Sequence, residues 1–185
     1  MKHLIPEFEI WKKRYPAGFE SSLVIPCVRR IQEDRGYVAD SDIGELVEYL
    51  GVPRIQVEEV IAFYTQFRRR PIGKWHLQLC HNVSCSMRGS EGVLAHLQNT
   101  LGVQPGQTTP DGKFTLSTVE CLASCGSAPM MMINDSYYEN LDAERVDAML
   151  AQMSVTDRLP SGMSNGVAAQ TSNGVAAQSP DGQTS

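Results

Sequence analysis

The spacing of four cysteines constrains this chain more than any other feature of its sequence. Cys80 and Cys85 are separated by four residues, Cys121 and Cys125 by three, and 35 residues lie between the pairs. A disulfide-dense secreted scaffold of this length would carry more than the five cysteines present. Each pair lies at the end of a predicted strand, so we expect the fold to direct several sulfurs toward one point.

Small residues flank both cysteine pairs. Cys85 lies in HNVSCSMRGS, and Cys121 and Cys125 lie in CLASCGSAP. Small side chains let backbone N–H groups approach sulfur closely, which matters because four thiolates and bridging sulfides concentrate negative charge. Four such cysteines suit a 2Fe-2S cluster.

Other chemistries of paired cysteines stay open at this point. Structural zinc sites also use four thiolates, although their pairs usually have the tighter spacing of zinc knuckles. Two disulfides are a further possibility, but in a cytosolic chain the four cysteines would be kept as thiols. A thiol-disulfide oxidoreductase would carry C-x-x-C after its first strand, and this chain has none. A zinc-stabilised interaction module is the main alternative from another functional class.

Residues 1–70 have helical periodicity, and its first strong pattern extends from Glu20 to Arg35. Pro26 is expected to kink or divide this helix, and Gly36 to end it. The apolar face contains Leu23, Val24, Cys27, Val28 and Ile31. We interpret Cys27 as a core side chain of this face and not as a fifth ligand.

Two more helices are predicted before residue 70. The first takes its N-terminal cap from Asp40 or Ser41 and ends at Gly51, and the second begins after Pro53. These helices predict a small N-terminal helical bundle.

The periodicity changes at Pro71, where strands begin to alternate with helices. The predicted strands are 74–80, 113–121 and 129–135, and the predicted helices are 89–102 and 141–153. We expect a hairpin between the second and third strands. This order describes an open sheet with helices packed on it, consistent with part of a thioredoxin-like fold and with the α+β class for the whole chain.

The charge distribution excludes several functions. The formal net charge is −5, and residues 71–153 contain 4 basic and 8 acidic side chains. No basic stripe is present, so we expect no nucleic-acid partner. The sequence contains no apolar run long enough to span a bilayer and no recognisable signal peptide, so we expect a cytoplasmic protein without direct membrane insertion.

The last 32 residues differ from the rest in composition. SNGVAAQ occurs at 164–170 and again at 172–178, and residues 154–185 contain no aromatic side chain. Such a segment buries too little apolar surface to offset its backbone entropy. The predicted organisation is therefore a helical bundle at 1–70, a cluster domain at 71–153 and a disordered tail at 154–185.

The stretch DGKFTLSTVECLASCGSAP at 111–129 resembles a known family, as do IAFYTQF at 61–67 and PGQTTPDG at 105–112. The family is the thioredoxin-like 2Fe-2S subunit of NADH-quinone oxidoreductase (complex I), which is the 24 kDa subunit of the mitochondrial complex and its bacterial equivalent. The resemblance spans roughly residues 7–153. It departs from the pattern at Ala123, where the family usually has glycine; a positive φ there would strain alanine by about 1 kcal/mol.

The resemblance implies an electron carrier. Cys80, Cys85, Cys121 and Cys125 would hold the iron of one 2Fe-2S cluster, and no catalytic acid-base residue would be needed. FMN and NADH would bind a partner subunit, and the complex, with further iron-sulfur subunits, would lie on the cytoplasmic side of the inner membrane. In agreement, the chain has neither a G-x-G-x-x-G after a strand nor a P-loop.

The same module occurs in NAD-linked hydrogenases and formate dehydrogenases, so an equivalent subunit of such a complex is an alternative. We also expect a low reduction potential, because reduction adds negative charge to an acidic domain.

Overall fold

A computed structural model describes residues 1–156 and 158–160. The chain forms two compact units, of which the first contains Met1–Trp75 and Thr108–Thr115, and the second contains His76–Gln107 and the described residues from Leu116 onward. Most of the tail predicted to be disordered, 154–185, lies outside the described residues. The part outside comprises Asp157 and residues 161–185.

Four α-helices build most of the first unit. They are α1 (Ile5–Lys12), α2 (Val24–Arg35), α3 (Asp40–Leu50) and α4 (Arg54–Phe63), with short 3-10 turns at Lys2–Leu4 and Glu20–Leu23. Their apolar faces form one core, whose fully buried members include Phe8, Leu23, Cys27, Val28, Ile43 and Leu46. The interpretation of Cys27 as a core side chain is confirmed.

The ends of α2 follow its sequence. The 3-10 turn gives way to α2 at Val24, so Pro26 falls in the first turn, where a backbone N–H has no intrahelical acceptor. Gly36 ends the helix with a left-handed φ of 89°, which glycine adopts without steric cost. The predicted division near Pro26 and the predicted stop are both confirmed.

The predicted cap of α3 is wrong. The N-cap residue is Ala39, not Asp40 or Ser41, and the carboxylate of Asp42 accepts a hydrogen bond from the Ala39 backbone N–H at 2.9 Å. Arg35 also donates to the Asp42 carboxylate at 2.8 Å. A carboxylate in the first turn can reach back to the N-cap N–H, so it replaces the side-chain cap at the preceding positions.

A four-stranded sheet has the order β2-β1-β3-β4. The strands are β1 (Trp75–Cys80), β2 (Phe114–Val119), β3 (Met131–Ile133) and β4 (Ser136–Tyr138). β3 is antiparallel to both β1 and β4, with Leu79 opposite Met131. The hairpin expected between 113–121 and 129–135 is wrong, because β1 lies between β2 and β3.

The hairpin that does form joins β3 to β4, a strand that was not predicted from the sequence. Ile133 pairs with Ser136, so only Asn134 and Asp135 form the turn. Asn134 has a φ of 52°, which suits a tight two-residue hairpin turn.

Three helices complete the second unit: α5 (Val83–Met87), α6 (Ser90–Leu101) and α7 (Ala143–Thr156). The helices expected at 89–102 and 141–153 are confirmed as α6 and α7, which contact each other, whereas the short α5 was not expected. The Tyr138 hydroxyl donates to the Pro160 carbonyl at 2.8 Å. The α+β class is confirmed, and within 1–156 and 158–160 no helix is long and apolar enough to cross a membrane.

Candidate functional site

The first cysteine pair is buried where β1 ends. Cys80 is the last residue of β1 and Cys85 lies in α5, and their exposed fractions are 3% and 2%. The chain can turn into α5 within two residues because the Asn82 side chain accepts a hydrogen bond from the Val83 N–H at 2.8 Å. Both thiols therefore have fixed positions.

The second pair lies in the loop that follows β2. Cys121 and Cys125 are exposed, and Cys125 begins a 3-10 turn that ends at Ser127. This loop then enters Pro129 through a cis Ala128–Pro129 peptide bond. The site thus combines two buried thiols with two accessible ones.

Apolar side chains cover the buried thiols. Cys80 and Cys85 pack in one cluster with Ala128 and Met130, and the partly buried Val119 and Leu122 lie against it. Met131 belongs to β3, and Met132 faces its other side. Of the three consecutive methionines, Met131 and Met132 are therefore explained by their places in the strand, while Met130 lines the cysteine pair.

The surroundings of Cys85 disfavour its thiolate form while no iron is bound. Burial is the main cause that raises the pKa of the Cys85 thiol, and its hydrogen bond with Cys80 raises it further, while a backbone hydrogen bond with Met130 opposes this. The charge of Cys125 also acts on Cys85. Cys125 is therefore within electrostatic range of the buried pair.

Backbone groups of the exposed loop form hydrogen bonds with the sulfurs of Cys121 and Cys80. The Ala123 N–H donates a hydrogen bond to the Cys121 Sγ at 3.3 Å, and the Cys80 thiol donates to the Glu120 carbonyl at 3.5 Å. Ala123 has a φ of 60°. The positive φ considered for this position is present, and the small residues do bring a backbone donor to sulfur.

The chemistry of these residues fits a 2Fe-2S cluster. Four thiols, two from the end of β1 and α5 and two from the loop after β2, are the ligand type that such a cluster takes, and a backbone N–H faces one of the sulfurs. In the part of the chain that the structure describes, no group of three His, Cys, Asp or Glu side chains is placed to hold a single metal ion.

Other polar groups near the cysteines were not singled out as ligands. The His81 imidazole lies 3.5 Å from the Glu120 carboxylate, and both side chains are exposed. Arg88 donates to the Ala128 carbonyl at 3.5 Å. Glu139, whose carboxylate accepts hydrogen bonds from Ser124 and Ser127, was not predicted from the sequence, because no spacing rule connects these positions.

A comparison with protein families decides the relationship. The family described as "Thioredoxin-like [2Fe-2S] ferredoxin" matches residues 8–154. The chain belongs to this family. As a thioredoxin-like [2Fe-2S] ferredoxin, it has all four cysteines inside the matched segment.

Relatives of this ferredoxin-family chain carry consistent names. It is 46% identical over 155 residues to a subunit of the NADH-quinone oxidoreductase of Rhizobium meliloti, a match that covers 84% of this chain and 91% of the relative. It is 37% identical over 147 residues to "NADH-quinone oxidoreductase subunit 2" of Thermus thermophilus, covering 79% and 81%. Both relatives are therefore named as subunits of the same kind of oxidoreductase.

A solved structure supports the fold. An NAD⁺-reducing [NiFe]-hydrogenase in the air-oxidised state matches with a TM-score of 0.62 and 23% identity, covering 72% of this chain and 24% of that one. At this identity the match is evidence of a shared fold.

Proposed function

We propose that this chain is the 2Fe-2S electron-transfer subunit of an NADH-quinone oxidoreductase, in which Cys80, Cys85, Cys121 and Cys125 ligate the cluster. The observation that carries the assignment is the pairing of the cysteines. Cys80 and Cys85 pack in one apolar cluster at the end of β1, and Cys121 and Cys125 lie on the loop that follows β2. The relatives at 46% and 37% identity give the complex its name.

When bound, a 2Fe-2S cluster accepts and releases one electron at a time. The residues of the chain supply what such a group needs. The four thiolates hold the irons, and the Ala123 N–H stabilises negative charge on the Cys121 sulfur. Met130 and Ala128 exclude water from the sulfurs of the buried pair.

The exposed side of the site is where we infer contact with a flavin- and NADH-binding partner subunit. Cys121 and Cys125 are exposed there, and on α5, which carries Cys85, Val83 and Met87 are 66% and 84% exposed. Apolar side chains left in water next to a redox centre are typical of a surface that a partner covers. As a subunit of such a complex, the chain would lie at the cytoplasmic side of the inner membrane.

Metal analysis of cysteine variants tests the assignment. We expect anaerobically purified wild type to contain iron and sulfide, to absorb visible light and to give an EPR signal after dithionite reduction. Cys121→Ala and Cys125→Ala should lose most of this iron while staying folded, because alanine offers iron no ligand and both side chains are exposed. Cys27→Ala is the matched control, since its thiol lies in the helical core and the iron content should not change.

Two results would contradict the proposal. A colourless, iron-free wild type that binds zinc would favour the zinc-stabilised interaction module. Iron retained in both Cys121→Ala and Cys125→Ala would exclude the proposed ligand set. Co-purifying subunits separate an NADH-quinone oxidoreductase from a hydrogenase or formate dehydrogenase, because the latter complexes would bring a subunit that oxidises hydrogen or formate.

A further inference from the structure

One carboxylate binds both serines that flank Cys125. Glu139 follows β4 directly, and its Oε1 accepts a hydrogen bond from the Ser127 hydroxyl at 2.6 Å and a second from the Ser124 hydroxyl. The two hydroxyl oxygens are 2.8 Å apart. All three side chains are partly buried, so water does not compete freely for these hydrogen bonds.

The residues after Glu139 bind the same loop through their backbone. The Asn140 N–H donates to the Ser127 carbonyl at 2.7 Å, and the Leu141 N–H donates to the Pro129 carbonyl at 2.9 Å. Glu139 therefore acts on a loop whose main chain is already positioned. Its substitution should change the hydroxyl groups and the charge more than the path of the chain.

Oxygen atoms are the acceptors of the two hydroxyl protons. A serine hydroxyl carries a single proton, and Ser124 and Ser127 each have Glu139 Oε1 as an acceptor, while the Ser127 hydroxyl also lies 3.3 Å from the Ser124 carbonyl. A proton that is donated to one of these oxygens is not donated to a sulfur of Cys125. The hydroxyls lower the pKa of Glu139, Ser124 most and Ser127 next, so the group is a carboxylate at neutral pH.

Both consequences act in the same direction on a redox centre at this loop. Hydrogen bonds to the sulfurs of an iron-sulfur cluster and the local charge are two of the factors that set its reduction potential. A nearby negative charge disfavours the addition of an electron, and a hydroxyl that donates elsewhere cannot stabilise the reduced state. Glu139 combines both effects in one side chain.

We propose that Glu139 is a positioning residue that keeps the reduction potential of the cluster low, by binding the Ser124 and Ser127 hydroxyls and by its own negative charge. This inference rests on the proposed function, because it needs a cluster at Cys121 and Cys125. It assigns a redox role to a residue outside the proposed ligand set.

The test is a spectroscopic redox titration of wild type and Glu139→Gln. We expect the variant to be easier to reduce: at the wild-type midpoint potential, its ratio of reduced to oxidised protein should rise about tenfold, which corresponds to about 59 mV for one electron. Glu144→Gln is the matched control, because it removes an exposed carboxylate from α7. Glu139→Asp keeps the charge, so its midpoint potential should lie between those of the wild type and Glu139→Gln.

Two further variants separate the two causes. Ser124→Ala with Ser127→Ala removes hydroxyls that donate nothing to sulfur in the wild type, so its midpoint should move less than that of Glu139→Gln. Glu139→Gln keeps an amide oxygen that accepts from the hydroxyls and so reports the loss of charge, whereas Glu139→Ala loses both the charge and the acceptor and should shift the midpoint further. Equal shifts in Glu139→Gln and Glu139→Ala would assign the whole effect to charge and contradict the part assigned to the hydroxyls.

NMR of the serine side chains in metal-free protein gives a readout that does not depend on the cluster. If Glu139 holds the two hydroxyls, the three-bond Hα–Hβ couplings of Ser124 and Ser127 should report one χ1 rotamer each in the wild type and an average over rotamers in Glu139→Ala. Couplings that do not change in Glu139→Ala would overturn the positioning role.

The inference and the proposed function fail in different ways. Iron-loaded wild type with an unchanged midpoint in Glu139→Gln would overturn the role of Glu139 and leave the ligand assignment standing. A wild type that binds no iron would overturn both.

Discussion

The backbone N–H of Ala123 donates a hydrogen bond to the Sγ of Cys121 at 3.3 Å. The bond depends on a left-handed backbone, since Ala123 has a φ of 60°. Alanine in this region is destabilised by roughly 1–2 kcal/mol, because its Cβ approaches the following carbonyl oxygen. The chain thus keeps a strained residue where its donor faces sulfur.

Replacing Ala123 with glycine should therefore stabilise the protein. We expect the free energy of unfolding of Ala123→Gly to rise by about 0.5–1 kcal/mol, because relief of strain exceeds the extra flexibility of the unfolded chain. Urea denaturation of the metal-free protein measures it. Ala95→Gly, at an exposed position inside α6, is the control and should lower stability by about 1 kcal/mol. A destabilised Ala123→Gly would contradict the strain argument.

The second prediction concerns Cys27. Burial, with a further contribution from the charge of Glu7, raises the pKa of this thiol to about 12. The thiolate is the nucleophile, so Cys27 should react with iodoacetamide at about pH 8 far more slowly than Cys121 and Cys125 in metal-free protein. Mass spectrometry of the alkylated peptides measures the rates. Equal rates for the three thiols would show that the helical core opens freely.

Residues that act locally could be predicted from the sequence, and those that act over a distance could not. Gly36 ends α2 and the strand before Cys80 forms, because each depends on a few neighbouring side chains. The three-residue β4 has no periodicity of its own and forms by pairing with β3. Glu139 reaches Ser124 across 15 positions, which no local pattern encodes.

The cap of α3 shows a different reason for a wrong prediction. Asp40, Ser41 and Asp42 are all residue types that cap helices, and the sequence does not rank them. In the folded chain the Asp42 carboxylate also accepts a hydrogen bond from Arg35 at the end of α2, at 2.8 Å. The contact joins two helices and is visible only in three dimensions.

The third prediction is a pH dependence of stability carried by Asp111. Its carboxylate accepts hydrogen bonds from the Thr109 hydroxyl at 2.5 Å and from the Lys113 N–H at 3.0 Å, and these lower its pKa, the hydroxyl most. A lowered pKa in the folded state means that the stabilisation is present above the unfolded pKa. It is lost as the pH falls through the lower folded value.

Asp111→Asn isolates this contribution, because its amide oxygen still accepts hydrogen bonds but carries no charge. The stability difference between wild type and variant should be constant above about pH 5 and should shrink below about pH 4. Urea denaturation at a series of pH values measures it, with Glu144→Gln, at an exposed position of α7, as the carboxylate control. A difference that does not change with pH would rule out the carboxylate as its source.

The fourth prediction compares two glycines. A Cβ added to Gly73 would lie 2.8 Å from both the carbonyl carbon and the oxygen of Lys113, which are backbone atoms that cannot move aside alone. The Gly73 N–H also donates to the Thr115 hydroxyl at 2.7 Å, so a displaced chain would lose this bond. We expect Gly73→Ala to lower the free energy of unfolding by about 1–3 kcal/mol.

Gly44 lies inside α3, and an added Cβ there would meet nothing within 4 Å. Gly44→Ala should therefore raise stability by about 1 kcal/mol through helix propensity, the opposite sign for the same change of one methyl group. Urea denaturation of the two variants under identical conditions measures both. Opposite signs of the change in the free energy of unfolding would support the close backbone approach at Gly73 as the cause. Equal stabilisation in both variants would mean that the backbone at Lys113 moves aside without a measurable loss of stability.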